Sequence, residues 1–169
     1  MMDIRRRLLK GWLLWMLLCP LLAGCTNDDD VIAIFTGKSW KLTYIAAEGT
    51  NKQYDFWGGN ETAFQNSMEA MKNTANFVIG FEGNDLDGVA GGTFSGRGIL
   101  YTFDGTWSAD GESNALSLSL KDASTERDVL ASAFMQGLRN AYRYSGDSQN
   151  LYIYYKEGQT VKFMAFRPQ

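Results

Sequence analysis

The stretch Leu151-Tyr152-Ile153-Tyr154-Tyr155-Lys156-Glu157-Gly158-Gln159-Thr160-Val161-Lys162-Phe163-Met164-Ala165 decides the fold class. Leu151, Ile153 and Tyr155 alternate with their neighbours, and so do Val161, Phe163 and Ala165, which is the period of a strand with one buried face. A glycine between the two runs makes them an antiparallel hairpin. A two-residue Glu157-Gly158 turn would put the two apolar sets on opposite faces. A three-residue Lys156-Glu157-Gly158 loop pairs Ile153 with Val161 and Leu151 with Phe163, with Gly158 in the left-handed position. The hydrophobic pattern predicts the second arrangement, and leaves Tyr152, Tyr154 and Met164 on the outer face.

Working outward, the same argument at Phe103-Asp104-Gly105 predicts a hairpin that pairs Tyr101 with Trp107 and Ile99 with Ala109. Ala115 to Leu120 adds a strand with Leu116, Leu118 and Leu120 inward, and Phe77 to Phe81 adds another. Trp40, Leu42 and Tyr44 open the fold as a half-buried strand. Two helices interrupt the strands. Asn60 caps one that runs to about Asn73, with Phe64, Met68 and Met71 as its apolar stripe. The other runs from about Glu126 to Asn140, with Thr125 as cap, Asp128 in the first turn, and Val129, Leu130, Ala133, Phe134 and Leu138 on one face.

This order gives a mainly β (α+β) chain: a small antiparallel β-barrel or strongly curled sheet of about eight strands, with two short helices packed outside. The inward set of Trp40, Leu42, Phe77, Ile79, Tyr101, Trp107, Ile153 and Phe163 is bulky enough to fill such a barrel. The second helix is then expected to cover Tyr152, Tyr154 and Met164, and Arg167 to stack on Trp40.

The N-terminus reads as an address. Arg5, Arg6, Arg7 and Lys10 precede an apolar run from Gly11 to Leu22, which is shorter than the about 20 residues of a spanning helix. Leu22-Ala23-Gly24-Cys25 resembles a bacterial lipobox, which implies cleavage before Cys25 and a lipid on that cysteine. Residues 1–24 are the expected signal peptide, 25–35 the lipidated cysteine and an acidic linker carrying Asp28, Asp29 and Asp30, and 36–169 the domain. The acidic run reads equally as a solvated tether and as a surface-sorting signal. The expected location is the outer membrane of a Gram-negative bacterium, on its periplasmic face or at the cell surface.

Composition narrows the chemistry. Of 16 basic and 19 acidic residues the leader takes four and one, leaving 12 against 18 and a net charge of −6. Such a domain is a poor partner for nucleic acid, whose affinity rests on phosphate neutralisation. There is no histidine, and the two cysteines are Cys19, inside the leader, and Cys25. Zinc sites of the usual kind and His-dependent nucleophilic catalysis are thereby excluded. No cofactor, metal or catalytic residue is expected. Gly83 to Gly98 is glycine-rich but lacks a phosphate loop, and Asp85-Leu86-Asp87-Gly88 lacks most of a calcium loop's ligands. An enzyme of carboxylates alone would draw on Asp85, Asp87, Asp104 or Glu112, most of which stand in Asp-Gly turns. The residues that stand out for binding are Tyr54, Phe56 and Trp57, unexpectedly aromatic within a loop from Gly49 to Gly59. Those rings read either as a fold-back over the barrel end or as a binding surface.

Five stretches resemble the META-domain family of bacterial lipoproteins, of the heat-shock lipoprotein J type. They are Thr36-Gly37-Lys38-Ser39-Trp40-Lys41-Leu42; Gly91-Gly92-Thr93-Phe94-Ser95-Gly96; Phe134-Met135-Gln136-Gly137-Leu138 with Tyr144; Leu151-Tyr152-Ile153; and Phe163-Met164-Ala165-Phe166-Arg167. A lipocalin-like lipoprotein domain is the nearest competitor, since it too starts with a Gly-plus-Trp strand and ends near an arginine. The first resemblance implies a lipid-anchored, non-enzymatic interaction or structural module whose partner is another envelope protein. The second implies a carrier of a small apolar ligand. Neither carries a defined reaction.

Overall fold

The computed structural model describes residues 31–86, 89–121 and 125–169. Cys25, the leader, the acidic run and Asp87 lie outside the described residues. Those described form helix α1 (Val31–Phe35), strand β1 (Ser39–Ala47), helix α2 (Glu61–Lys72), strands β2 (Val78–Leu86), β3 (Val89–Arg97), β4 (Thr102–Asp110) and β5 (Leu116–Leu120), helix α3 (Val129–Arg139), and strands β6 (Ala141–Gly146), β7 (Leu151–Glu157) and β8 (Thr160–Pro168). All eight strands join one antiparallel sheet in the order β5-β4-β3-β2-β1-β8-β7-β6. The sheet curls until its edges approach one another, and β5 and β6 meet at an Ala115–Arg143 bridge and a bond from Tyr144 N–H to the Asn114 carbonyl, 3.0 Å. The result is a strongly curled sheet, not a closed barrel.

Aromatic rings fill the concave side. Phe35 stands 4.9 Å from Phe81, 4.8 Å from Trp107 and 5.0 Å from Tyr144, centroid to centroid. Phe134 of α3 meets Phe77 at 5.7 Å, Phe103 at 5.9 Å and Phe166 at 6.3 Å. All of these rings are buried. Val31, Ile34 and Phe35 bring α1, the last five residues of the 25–35 segment, into this core. Trp40 is completely buried and its Nε1–H donates to the Phe35 carbonyl at 3.0 Å. The cation over its ring is Lys38, 5.1 Å away, and not Arg167, which lies on the surface.

In the β7–β8 hairpin Glu157 faces Thr160, so the turn is the two residues Gly158-Gln159, with Gly158 at φ +58° in its first position. That is the glycine placement of a two-residue hairpin turn of the primed type. Ile153 therefore pairs with Met164 and Leu151 with Phe166, which turns Met164 into the core and Phe163 onto the outer face. Phe103-Asp104-Gly105 is not a turn but part of β4, and the chain reverses at Gly98 to Tyr101, where Tyr101 is exposed. Helix α3 starts at Val129, which is itself exposed; its cap is Asp128, whose carboxylate accepts from Ala131 N–H at 2.9 Å, rather than Thr125. Leu130, Phe134 and Leu138 pack into the concave core, so α3 does not cover Tyr152 and Tyr154.

Helix α2 forms as the pattern requires. The Asn60 side chain accepts from Ala63 N–H at 3.0 Å, and Phe64, Met68 and Met71 rest half-buried on the core. Two turns at the opposite end of the sheet are built by aspartates. Asp110 accepts from the backbone N–H of Glu112 and Ser113, both at 2.9 Å, and Asp147 from Gln149 at 2.7 Å and Asn150 at 2.8 Å. Chiefly through these backbone bonds, both carboxyls lie below their ordinary range. A depressed folded-state pKa contributes stability that is full above the unfolded value, near 4, and lost as pH falls through the folded one. Denaturant midpoints should therefore fall below about pH 4, and Asp110→Asn with Asp147→Asn should flatten that limb; an acid limb of unchanged slope would refute the assignment.

Candidate functional site: the aromatic loop and the outer sheet face

The loop between β1 and α2 is tied back to β1 before its rings are placed. Gly49 turns the chain at φ +82°, Tyr54 N–H donates to the Ile45 carbonyl at 2.7 Å, and Gln53 Oε1 accepts from Ile45 N–H at 3.2 Å. The three aromatic residues singled out by sequence then go to different neighbours. Tyr54 and Phe56 lie half-buried, 4.8 Å apart, over the ammonium of Lys162, whose Nζ stands 3.8 Å from the first ring and 4.7 Å from the second. Lys162 is buried and ion-paired to the half-exposed Glu157. A buried ammonium is costly unless paired, and here one carboxylate and two ring faces offset that cost. Tyr155 lies beside this cluster with its hydroxyl buried and unpartnered, and burial, reinforced by Glu157 and Tyr54, pushes its phenol far above the usual range.

Trp57 is buried rather than exposed. Its Nε1–H donates to Ser67 Oγ at 3.0 Å, and Ser67 Oγ–H donates to Asp128 Oδ2 at 2.7 Å, which links the loop through α2 to the cap of α3. Its ring meets Phe64 edge-on at 5.0 Å. Trp57→Phe keeps an aromatic ring in the site but removes the donor and part of the indole, so it should cost about 1–2 kcal/mol. Combined with Ser67→Ala the effects should be less than additive in a urea-unfolding cycle; simple additivity would show that the chain of bonds carries no coupling. Beside this ring opens a surface cleft of about 350 Å³, lined by Gln53, Asp55, Trp57, Asn60, Glu61 and Phe64. A larger one, about 500 Å³, lies on the outer face among Lys38, Glu82, Thr93, Ser95, Asp104 and Lys121.

The carboxylates weighed as catalytic do not gather. Asp104 is paired with Lys121 at 2.6 Å, Glu112 is exposed in the β4–β5 turn, and Asp85 lies near the end of β2. Among the described residues no three Asp or Glu side chains come together as metal ligands would.

A second aromatic group was not singled out as a site by sequence. On the outer face of β1, β8 and β7, Phe163 is ringed by Tyr44 at 5.9 Å, Tyr152 at 5.8 Å and Tyr154 at 5.6 Å, and Arg143 lies 4.0 Å over Tyr154. The tyrosines are half-buried by one another, and among the described residues no helix residue joins the cluster. Alternation of Tyr152 and Tyr154 along β7 was the available signal; the shifted register of β8 concealed Phe163.

Residues 26–168 match the family model described as a domain of unknown function, DUF4847. The fold is similar to the crystal structure, at 1.00 Å resolution, of a DUF4847 family protein from Bacteroides vulgatus ATCC 8482. The two share 23% identity with a TM-score of 0.60, over 81% of this chain and 96% of that one, a likeness that speaks to fold alone. No curated protein matches the chain. The chain belongs to the DUF4847 family.

Proposed function

We propose that this is a lipid-anchored lipoprotein of the outer membrane whose domain acts as a non-enzymatic interaction module. The observation that carries the reading is the ring-filled concave side, where Phe35, Phe81, Trp107 and Tyr144 pack at centroid spacings of 4.8–5.3 Å in the space a carrier would leave for cargo. Binding then falls to the surface, where the uncovered tyrosine cluster around Phe163 and the half-buried rings of Tyr54 and Phe56 offer contiguous aromatic area. Support for the anchor comes from Leu22-Ala23-Gly24-Cys25 and the positive, apolar leader before it. The lack of histidine and of a cysteine after Cys25 supports a role without covalent catalysis.

Two measurements test this. Cells fed an alkyne-tagged fatty acid should label the wild type and not Cys25→Ala; equal labelling of both would remove the anchor. Titration of the purified protein with an environment-sensitive fatty-acid probe should give no saturable signal. Saturable one-to-one uptake would instead favour the carrier of a small apolar ligand.

A further inference from the structure

We propose that the β2–β3 hairpin tip, Leu86 and Val89, is a membrane contact that seats this end of the domain on the lipid surface to which Cys25 tethers it. The proposal rests on the lipid-anchor reading above and adds which end of the domain meets the bilayer. Only residues 26–30 separate Cys25 from Val31, the first residue of α1. Fully extended, that stretch spans about 20 Å, so the end of the domain that carries Val31 stays beside the membrane. Val31 packs against the β4–β5 turn, where a Cβ on Gly111 would stand 3.0 Å from its Cγ2. The residue before that glycine, Asp110, pairs with Val89, and Val89 pairs with Leu86. The tether therefore leaves the fold within about two strand spacings, roughly 10 Å, of the hairpin tip.

Leu86 is 67% exposed and Val89 46%, two aliphatic side chains side by side at a tip with no core beneath them. The Gly98–Tyr101 turn lies at the other end of β3, a nine-residue strand and so about 30 Å away. Its exposed Leu100 and Tyr101 face away from the bilayer, as does the loop bearing Tyr54 and Phe56, which follows the far end of β1. Asp110 on β4 pairs with Val89 beside the tip, so neutral headgroups suit it better than anionic ones.

The test uses the full chain, expressed so that it is processed and lipidated. With Cys19 removed and Cys25 acylated, Leu86→Cys offers a single thiol for an environment-sensitive fluorophore, Val89→Cys repeats the measurement with Leu86 intact, and Leu100→Cys reports on the opposite end. The proteins are reconstituted into phosphatidylethanolamine–phosphatidylcholine vesicles containing headgroup-spin-labelled phosphatidylcholine. Labels at 86 and 89 should lose about half or more of their emission, as expected for groups at the headgroup boundary, and the label at 100 should keep its own. No quenching at 86 and 89 in a chain whose mass includes the lipid overturns the membrane contact while leaving the anchor standing. A mass without lipid on Cys25 overturns the anchor, and the contact with it.

Discussion

Trp40→Ala is expected to lower the free energy of unfolding by roughly 3–5 kcal/mol, the range for deleting a large buried aromatic side chain. Trp40 is wholly buried where β1 pairs with both β2 and β8, at the centre of the sheet order. Its ring fills core volume, and its Nε1–H holds the Phe35 carbonyl at 3.0 Å. That bond fixes the end of α1, which places the Phe35 ring against Phe81, Trp107 and Tyr144. Truncation leaves a cavity and an unpaired carbonyl together, and loosens α1 as well. Trp40→Phe separates these effects: it retains most of the ring and loses the donor, at about 1–2 kcal/mol. Urea midpoints for the two variants would measure the costs, and amide exchange in Val31–Phe35 should quicken in both. A midpoint unmoved by Trp40→Ala would mean that the residue is not the keystone of this junction.

At alkaline pH the expected direction is also loss. Burial raises the Tyr155 phenol above its unfolded value of about 10. Unfolded chains release that proton first as pH climbs, so stability falls above about pH 10. Tyr155→Phe should remove part of that slope, which denaturation at pH 8 and 11 would reveal.

How far the sequence carried the fold depends on how many faces of each strand are buried. The alternation of Trp40 and Leu42, and the spacing of Phe64, Met68 and Met71 after Asn60, each describe an element with one apolar face, and both were readable. Strand β8 is different. Lys162, Phe163, Met164, Ala165 and Phe166 are buried in succession, because the concave core takes one face and the tyrosine cluster takes the other. Alternation carries no information there, and a one-residue shift of register exchanges the two faces. Asp104-Gly105 misled for another reason. The glycine suggests a turn, yet it lies within β4, where a Cβ would stand 2.1 Å from the Ser119 carbonyl and 2.8 Å from the Phe94 ring. Close approach, not reversal, requires it. In the loop, aromatic content pointed to Tyr54, Phe56 and Trp57, but their partners Lys162, Ser67 and Asp128 come from remote parts of the chain. No local pattern announces such pairings.

Glu126 is the other residue whose weight is visible only in three dimensions, since by sequence it is simply the start of a helix. It precedes α3, is 4% exposed, and turns its carboxylate onto the β3–β4 reversal. Oε1 accepts from the N–H groups of Ile99 at 3.0 Å, Leu100 at 3.2 Å and Tyr101 at 3.2 Å, and Oε2 accepts from Leu100 at 3.2 Å. Its own carbonyl accepts from Ser132 Oγ at 2.9 Å, so the turn is fastened to the first turn of α3. Bonds to an ionised acceptor are worth about 1.5–3 kcal/mol each, and a donor left buried without a partner adds a desolvation cost. Leu100 and Tyr101 are partly open to solvent, so water can replace some of what is lost. Glu126→Ala should therefore destabilise by about 2–4 kcal/mol, less than the sum of its bonds. Glu126→Gln retains one acceptor oxygen but sets an amide donor against the Leu100 N–H, and should cost about 1–2 kcal/mol. The order wild type, Gln, Ala in urea midpoints, with faster exchange of the amides at 99–101 in the Ala variant, is the expected result. An Ala variant within about 0.5 kcal/mol of wild type would mean that solvent satisfies the turn as well as the carboxylate does.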